Sequence, residues 1–206
     1  MLKIWGRINS TNVRKALWAA EEVGVAYERQ DAGGAFGRVN DAAYRALNPN
    51  GLVPLIEDDG LVLWESNAIV RYLAARYAAG SLYPESPVQR AEGDKWMDWA
   101  TSSFAGPFRD LFWGTLRTPP AERDPARIEA ALDRCGELLA IPDQALAQRP
   151  YLSGEAFAMG DIPLGCFAYA WFEMPIQRPD LPHLEAWYQR LQDRPAYRKA
   201  VMTALT

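Results

Sequence analysis

Histidine is almost missing from this chain: His183 is the only one in 206 residues, and Cys135 and Cys166 are the only cysteines. Two cysteines are too few for a disulfide scaffold or a Cys-rich metal centre. A single histidine without nearby partners is weak evidence for a ligand or a general base, so His183 reads as structural and no metal is expected. Basic residues are not in excess either. Lys plus Arg is 22 against 26 Asp plus Glu, for a net charge of −4, and no basic arm or stripe is present to neutralise phosphates, which disfavours a nucleic-acid partner. No apolar run approaches the ~18 residues of a membrane span. Met1 to Arg7 has no basic flank followed by an apolar stretch, so no secretory signal is evident and the expected location is the cytoplasm, with no membrane partner.

What is present is an apolar, aromatic-rich chain. Hydrophobic residues make up 49% and charged residues 23%, enough to bury a core and offset ordering entropy. At roughly 150 residues per domain, the length fits one large domain or two small ones. The patterning favours two. Leu2 to Trp5 is a short apolar run, followed by a helical stripe of Val13, Ala16, Leu17, Ala20 and Val23 that stops at Gly24. Val25 to Arg29 reads as a second strand and Asn40 to Leu47 as a short helix. Val53-Pro54-Leu55-Ile56 and Leu61-Val62-Leu63-Trp64 flank an Asp-Gly turn, the signature of a hairpin, and a helix opens at Glu65-Ser66-Asn67. The order β-α-β-α-β-β-α predicts a parallel first pair with an antiparallel hairpin added.

From Tyr83 the period is helical throughout, with helices expected at about 87–113, 123–148, 160–171, 181–192 and 195–204. Pro142 predicts a kink or an end, since a proline inside a helix costs about 3 kcal/mol. The expected architecture is an α/β unit over residues 1–80, a linker over 81–86 and an all-helical unit over 87–206.

Three segments carry polar groups where chemistry could sit. Ser10-Thr11-Asn12 lies between the first strand and first helix, beside free N–H groups and the positive dipole end. These are preferred capping residues, but the same place stabilises an anion or lowers a thiol pKa. Leu52-Val53-Pro54 reads as a proline starting an edge strand. Glu65-Ser66 stands at the third helix start, again as a cap or an anion site. Trp96, Trp99, Phe104, Phe108, Phe112 and Trp113 recur at helical spacing, which suits a core or a pocket wall. Arg109 among them would pair with an acid or hold an anion.

In order and spacing, Ser10-Thr11-Asn12, Asn48-Pro49-Asn50-Gly51-Leu52-Val53-Pro54 and Trp64-Glu65-Ser66-Asn67-Ala68-Ile69 resemble the glutathione S-transferase superfamily. The likeness continues in Arg149-Pro150-Tyr151-Leu152-Ser153-Gly154 and Gly160-Asp161-Ile162-Pro163-Leu164-Gly165, so it covers both halves of the chain. It implies a thioredoxin-like N-terminal domain holding glutathione and a helical domain supplying a second-substrate pocket from Trp96, Trp99, Phe104, Phe108, Arg109, Phe112 and Trp113. It implies a cis Pro54, main-chain bonds from Val53 to the cysteinyl part of glutathione, Glu65 on the γ-glutamyl ammonium and Ser66 on its carboxylate. The tyrosine of alpha-, mu- and pi-type members has no counterpart before Tyr27, and the cysteine of beta- and omega-like members is absent. Ser10 and Asn12 resemble the Thr/Asn arrangement of bacterial nu-class members, while theta-like spacing favours Thr11; the catalytic order of preference is Ser10, Asn12, Thr11.

The resemblance implies conjugation of glutathione to hydrophobic electrophiles. Glutathione-dependent disulfide or peroxide reduction, or non-catalytic binding of glutathione or apolar ligands, are the alternatives. It also implies a homodimer packed through the helices after Ser66 and Pro87, with Arg71 and Asp94 as candidate interface groups. Two positions depart from the pattern. Ala158 replaces the usual capping Ser or Thr three residues before Asp161, which predicts a helix start weaker by about 1 kcal/mol. Leu52 replaces a polar or basic residue, which removes a contact to the glycyl carboxylate.

Overall fold

The computed structural model describes every residue from Met1 to Thr206. Its four strands, β1 (Leu2–Trp5), β2 (Tyr27–Gln30), β3 (Leu55–Asp58) and β4 (Leu61–Trp64), form one sheet in the order β2-β1-β3-β4. β1 and β2 are parallel, β3 is antiparallel to β1, and β3 and β4 make the hairpin, as the sequence order predicts. Side chains alternate across the pleat. Leu2, Ile4 and Ile56 join the main core with α1 (Thr11–Glu22) and α3 (Ser66–Tyr77). Leu55 turns to the opposite face, where Trp5, Ala32 and Tyr44 of α2 (Ala42–Leu47) gather.

The second strand begins at Tyr27, two residues later than the pattern suggests. The N–H of Val25 bonds back to the Ala20 carbonyl and that of Gly24 to Glu21, with Gly24 at φ 67. This pair of bonds is a Schellman motif, which consumes Val25 in closing α1.

Six helices build the remainder: α4 (Pro87–Trp99), α5 (Ala105–Phe112), α6 (Pro125–Leu146), α7 (Ile162–Glu173), α8 (Pro182–Gln192) and α9 (Pro195–Ala200). The single helix expected over 87–113 is instead two α-helices separated by a wide π-helical turn at Ala100–Phe104, with a second such turn at Trp113–Arg117. Pro107 has no N–H to donate to Ser103, so the ladder cannot keep α-helical register there. Pro142 does not end the helix: α6 runs through it to Leu146. The turn beyond the proline is anchored by buried Leu146 and by Asp143, whose carboxylate accepts the N–H groups of His183 and Leu184 at 2.9 and 2.8 Å. His183 itself is exposed.

The two domains share one core. Trp18 of α1 is fully buried and its ring lies 4.6 Å from that of Tyr197 and 5.4 Å from that of Phe157. Gly165 of α7 makes room for it: a Cβ there would lie 2.6 Å from Trp18 Cζ3. Glu22 accepts from Arg194 Nε and Nη2, each at 2.7 Å. Arg71 binds Asp94 at 2.6 Å and Asp98 at 2.7 Å within the chain, tying α3 to α4. The architecture is a thioredoxin-like α/β domain followed by an all-α domain.

Candidate functional site

Ser10 occupies the N-cap position of α1 with extended backbone, yet its side chain makes no capping bond. The capping role its residue type suggests is therefore unused. Ser10, Thr11 and Asn12 all line an interdomain cavity of about 470 Å³. Negative charge at this point would meet unpaired helix N–H groups and the dipole of twelve aligned residues.

The Val53–Pro54 peptide is cis. The loop before it is fixed by two bonds to the Leu52 carbonyl, from the Tyr44 hydroxyl at 2.7 Å and Asn48 Nδ2 at 2.9 Å. Val53 itself donates and accepts no main-chain hydrogen bond within the protein. An N–H and a C=O left open beside a sheet are what an extended peptide needs in order to add as a short strand. Leu52 projects outward, 65% exposed, and offers no polar group.

Glu65 precedes α3 with φ 72, a left-handed conformation for a residue with a Cβ. Such a backbone costs on the order of 1–3 kcal/mol and persists where the surroundings impose it. The exposed Glu65 side chain caps nothing. Ser66 follows, buried at the first position of α3, and its hydroxyl donates to Asn12 Oδ1 at 3.3 Å. The N-termini of α1 and α3 thus converge on one place. Close behind them Lys15 is completely buried, with Nζ 5.1 Å from the Phe167 ring centre. Burial lowers its ammonium to about 8, against weaker support from Cys166 and Glu65. Cys166 is pushed up to about 12 by burial, as is Cys135.

Of the residues expected around a second pocket, Phe108, Arg109, Phe112 and Trp113 line the same cavity as Ser10–Asn12. Trp96, Trp99 and Phe104 do not. They continue the aromatic row inward, Trp96 to Trp99 at 5.8 Å, Trp99 to Phe104 at 5.9 Å and Phe104 to Phe108 at 5.3 Å. Phe104 is fully buried and meets Phe167 edge-on. The row enters the core because it follows the face of α4 and α5 that packs on α7, where apolar area is best removed from water. Arg109 is exposed; its contact with Asp110 is at 3.4 Å, at the limit of a useful hydrogen bond.

Sequence reasoning missed Arg7, Arg14 and Arg117, which also line the cavity. Arg7 and Arg14 bracket the Ser10–Asn12 segment, a signal that was available. Arg117 arrives from the far end of the second π-helical turn, and nothing local marks it. Arg14 is buried and held by neutral oxygens: Ile8 O at 3.1 Å, Thr203 Oγ1 at 2.7 Å and Ala204 O at 3.1 Å.

Ala158 supplies no side-chain cap, but Asp161 offsets its loss. This buried carboxylate accepts the N–H groups of Leu152, Ser153 and Ala158 at 2.8, 3.3 and 3.3 Å and Trp187 Nε1 at 2.9 Å. No group of three or more His, Cys, Asp or Glu side chains is placed to hold a metal ion, and no helix is long and apolar enough to cross a membrane.

Known proteins give the arrangement its context. Residues 1–75 match the glutathione S-transferase N-terminal domain and residues 94–195 the C-terminal domain. The chain is 48% identical over 204 residues to glutathione S-transferase GstB of Escherichia coli K12, covering 98% of each. A solved theta-class glutathione S-transferase from the citrus canker pathogen Xanthomonas axonopodis pv. citri, with glutathione bound, is 71% identical, with a TM-score of 0.97 over 100% of this chain and 99% of that one. An apo form from the same source is 65% identical with a TM-score of 0.88, over 100% and 98%. With both domain matches in chain order and a relative this similar along its whole length, the chain belongs to the glutathione S-transferase family.

Proposed function

We propose that this protein conjugates the thiolate of glutathione to electrophiles with an apolar body, as a theta-like member of the hydroxyl or amide type. The observation that carries this reading is the start of α1, where Ser10, Thr11 and Asn12 face the interdomain cavity with the Ser10 side chain free of any capping bond. Val53 receives the cysteinyl main chain beside Pro54, Glu65 the γ-glutamyl ammonium, and Ser66 with the α3 N-terminus its carboxylate. This assignment matches each charge to its complement.

Glutathione's thiol, like other thiols, has a pKa near ~8.5 in water, so little is thiolate at neutral pH. A donor from Ser10, Asn12 or Thr11, together with the α1 dipole, favours the charged form. The sulfur then attacks carbon held against Phe108, Phe112 and Trp113, a C–S bond forming as the leaving group departs with its electron pair. Both cysteines of the chain are buried with raised pKa, so in this reading the nucleophilic sulfur is glutathione's own.

The protein acts as a homodimer in the cytoplasm. Support for a second copy comes from exposed Leu61, Val62 and Trp64 on edge strand β4, since an uncovered apolar edge invites a partner. The test of the activity is to incubate glutathione and 1-chloro-2,4-dinitrobenzene with the protein and quantify the thioether by mass spectrometry. Formation well above the uncatalysed rate supports the reading. Glutathione binding without any thioether from this or other arylating and alkylating electrophiles transfers support to the binding-protein alternative.

A further inference from the structure

We propose that the second pocket selects electrophiles that carry a carboxylate on a flat aromatic body, and that Arg109 is the residue that chooses them. The inference rests on the transferase reading and adds a substrate class to it.

The chain is acidic overall, at −4, yet the only charged side chains lining the cavity beside Ser10 are those of Arg7, Arg14, Arg109 and Arg117. None of the four makes an ion pair shorter than 3.4 Å with an acidic side chain. Arg14 bonds only neutral oxygens. Arg117 meets no acidic side chain and donates to the oxygen of Thr206, the last residue of the sequence, at 2.8 and 3.2 Å. Arg7 donates to Asn9 through one Nη, while its Nε is buried without a partner. Arg109 has only the long contact to adjacent Asp110. The cations also sense one another: burial lowers the pKa of Arg117, with Arg7 adding to it, and burial lowers that of Arg14, to which Arg117 contributes. Concentrated positive charge in a partly enclosed space raises the local concentration of anions and lowers the free energy of one that enters.

The shape of the anion follows from the wall. Phe108 and Phe112 lie on one stripe with ring centres 6.2 Å apart. Arg117 sits 5.3 Å from the Phe112 ring and 5.1 Å from the Trp113 ring, so guanidinium and aromatic surfaces are interleaved. A benzoate-like molecule satisfies both, its ring on the phenylalanines and its carboxylate on the fork of Arg109, which is suited to bidentate contact. The cavity, about 470 Å³, falls within the roughly 300–1,000 Å³ of small-molecule sites. Ser10–Asn12 line the same cavity, so the reacting carbon of such a molecule is to be presented to the proposed thiolate position there.

The probes are 4-(chloromethyl)benzoate and 4-(chloromethyl)benzamide, which share a reacting carbon and differ in charge. Each reacts by attack of sulfur on the benzylic carbon, with chloride leaving and the thiol proton passing to solvent. We expect kcat/KM for the benzoate to exceed that for the benzamide at least tenfold after correction for uncatalysed rates. Arg109→Gln should reduce this ratio at least fivefold and Arg109→Lys should restore part of it. In parallel, calorimetry with unreactive 4-methylbenzoate and 4-methylbenzamide should show the anion bound at least tenfold more tightly. Benzamide turnover with no preference for the benzoate overturns the proposal and leaves the transferase reading standing. Turnover of neither compound, with selective binding of 4-methylbenzoate, keeps the anion site and counts against the transferase reading. A glutathione Kd raised tenfold or more in Arg109→Gln overturns the assignment, because the guanidinium would then serve the tripeptide.

Discussion

The Ser66 hydroxyl donates to Oδ1 of Asn12 across 3.3 Å, joining the first turns of two helices that lie 54 residues apart in sequence. One side chain thereby holds together the places assigned to the γ-glutamyl carboxylate and the thiol. Ser66→Ala should weaken glutathione binding about tenfold to a hundredfold, since a hydrogen bond to a charged group is worth roughly 1.5–3 kcal/mol. Calorimetric titration checks it; an unchanged Kd would remove Ser66 from the site.

Glu65 tells a different story, because its backbone is strained and its side chain makes no capping hydrogen bond within the fold. Glycine tolerates φ 72 without a Cβ clash. Glu65→Gly should lose at least tenfold in glutathione affinity while folding stability stays within about 1 kcal/mol of wild type, relief of strain offsetting the added chain entropy. Urea unfolding and calorimetry on the same sample separate the two effects. A large loss of stability would mean that the side chain supports the fold.

Gly165→Ala probes the seam between the domains. The added methyl would meet Trp18 at 2.6 Å and Leu191 at 3.0 Å, and Trp18 is fully buried. Overpacking of this kind costs typically 1–3 kcal/mol, so the melting temperature should fall by several degrees. A variant as stable as wild type would show that the seam adapts.

Lys15 gives a pH prediction. Burial holds its ammonium at about 8 in the folded chain, against about 10.4 when unfolded. Between those values the unfolded state binds more protons, so the lysine's unfavourable contribution shrinks as pH rises. Wild-type stability relative to Lys15→Met should therefore increase by up to roughly 3 kcal/mol from pH 8 to 10.4. Denaturant midpoints across that range read it directly; a constant difference would mean that Lys15 titrates normally.

The proposed homodimer predicts a scattering mass twice the 23.1 kDa of the chain at micromolar concentration. Val62→Lys on β4 should shift it towards the monomer. A monomer in the wild type rejects the dimer.

The parts legible in the sequence share a cause. The parallel and antiparallel sense of the strands followed from the period change at Gly24 and the Asp-Gly hairpin, and the candidate glutathione residues from three short segments at helix or strand starts, where residue type and backbone demand are tightly linked. What escaped depended on contacts between distant segments. The aromatic run from Trp96 to Trp113 has one periodicity, but only its second half meets the cavity, because Pro107 and the π-helical turn before it divide the helix. Pro142 stays inside α6 because Asp143 and Leu146 are anchored elsewhere. The arginine cluster assembles from residues up to 110 positions apart, Arg7 to Arg117, and no local pattern announces it.

The central claim, that the start of α1 stabilises a thiolate, is tested most directly by titrating the thiol of bound glutathione through its ultraviolet thiolate band. In the wild type the bound thiol should titrate at least one unit below free glutathione, and Ser10→Ala should return it towards the free value with binding retained. A bound thiol that titrates like the free one, or no binding at millimolar glutathione, would contradict it.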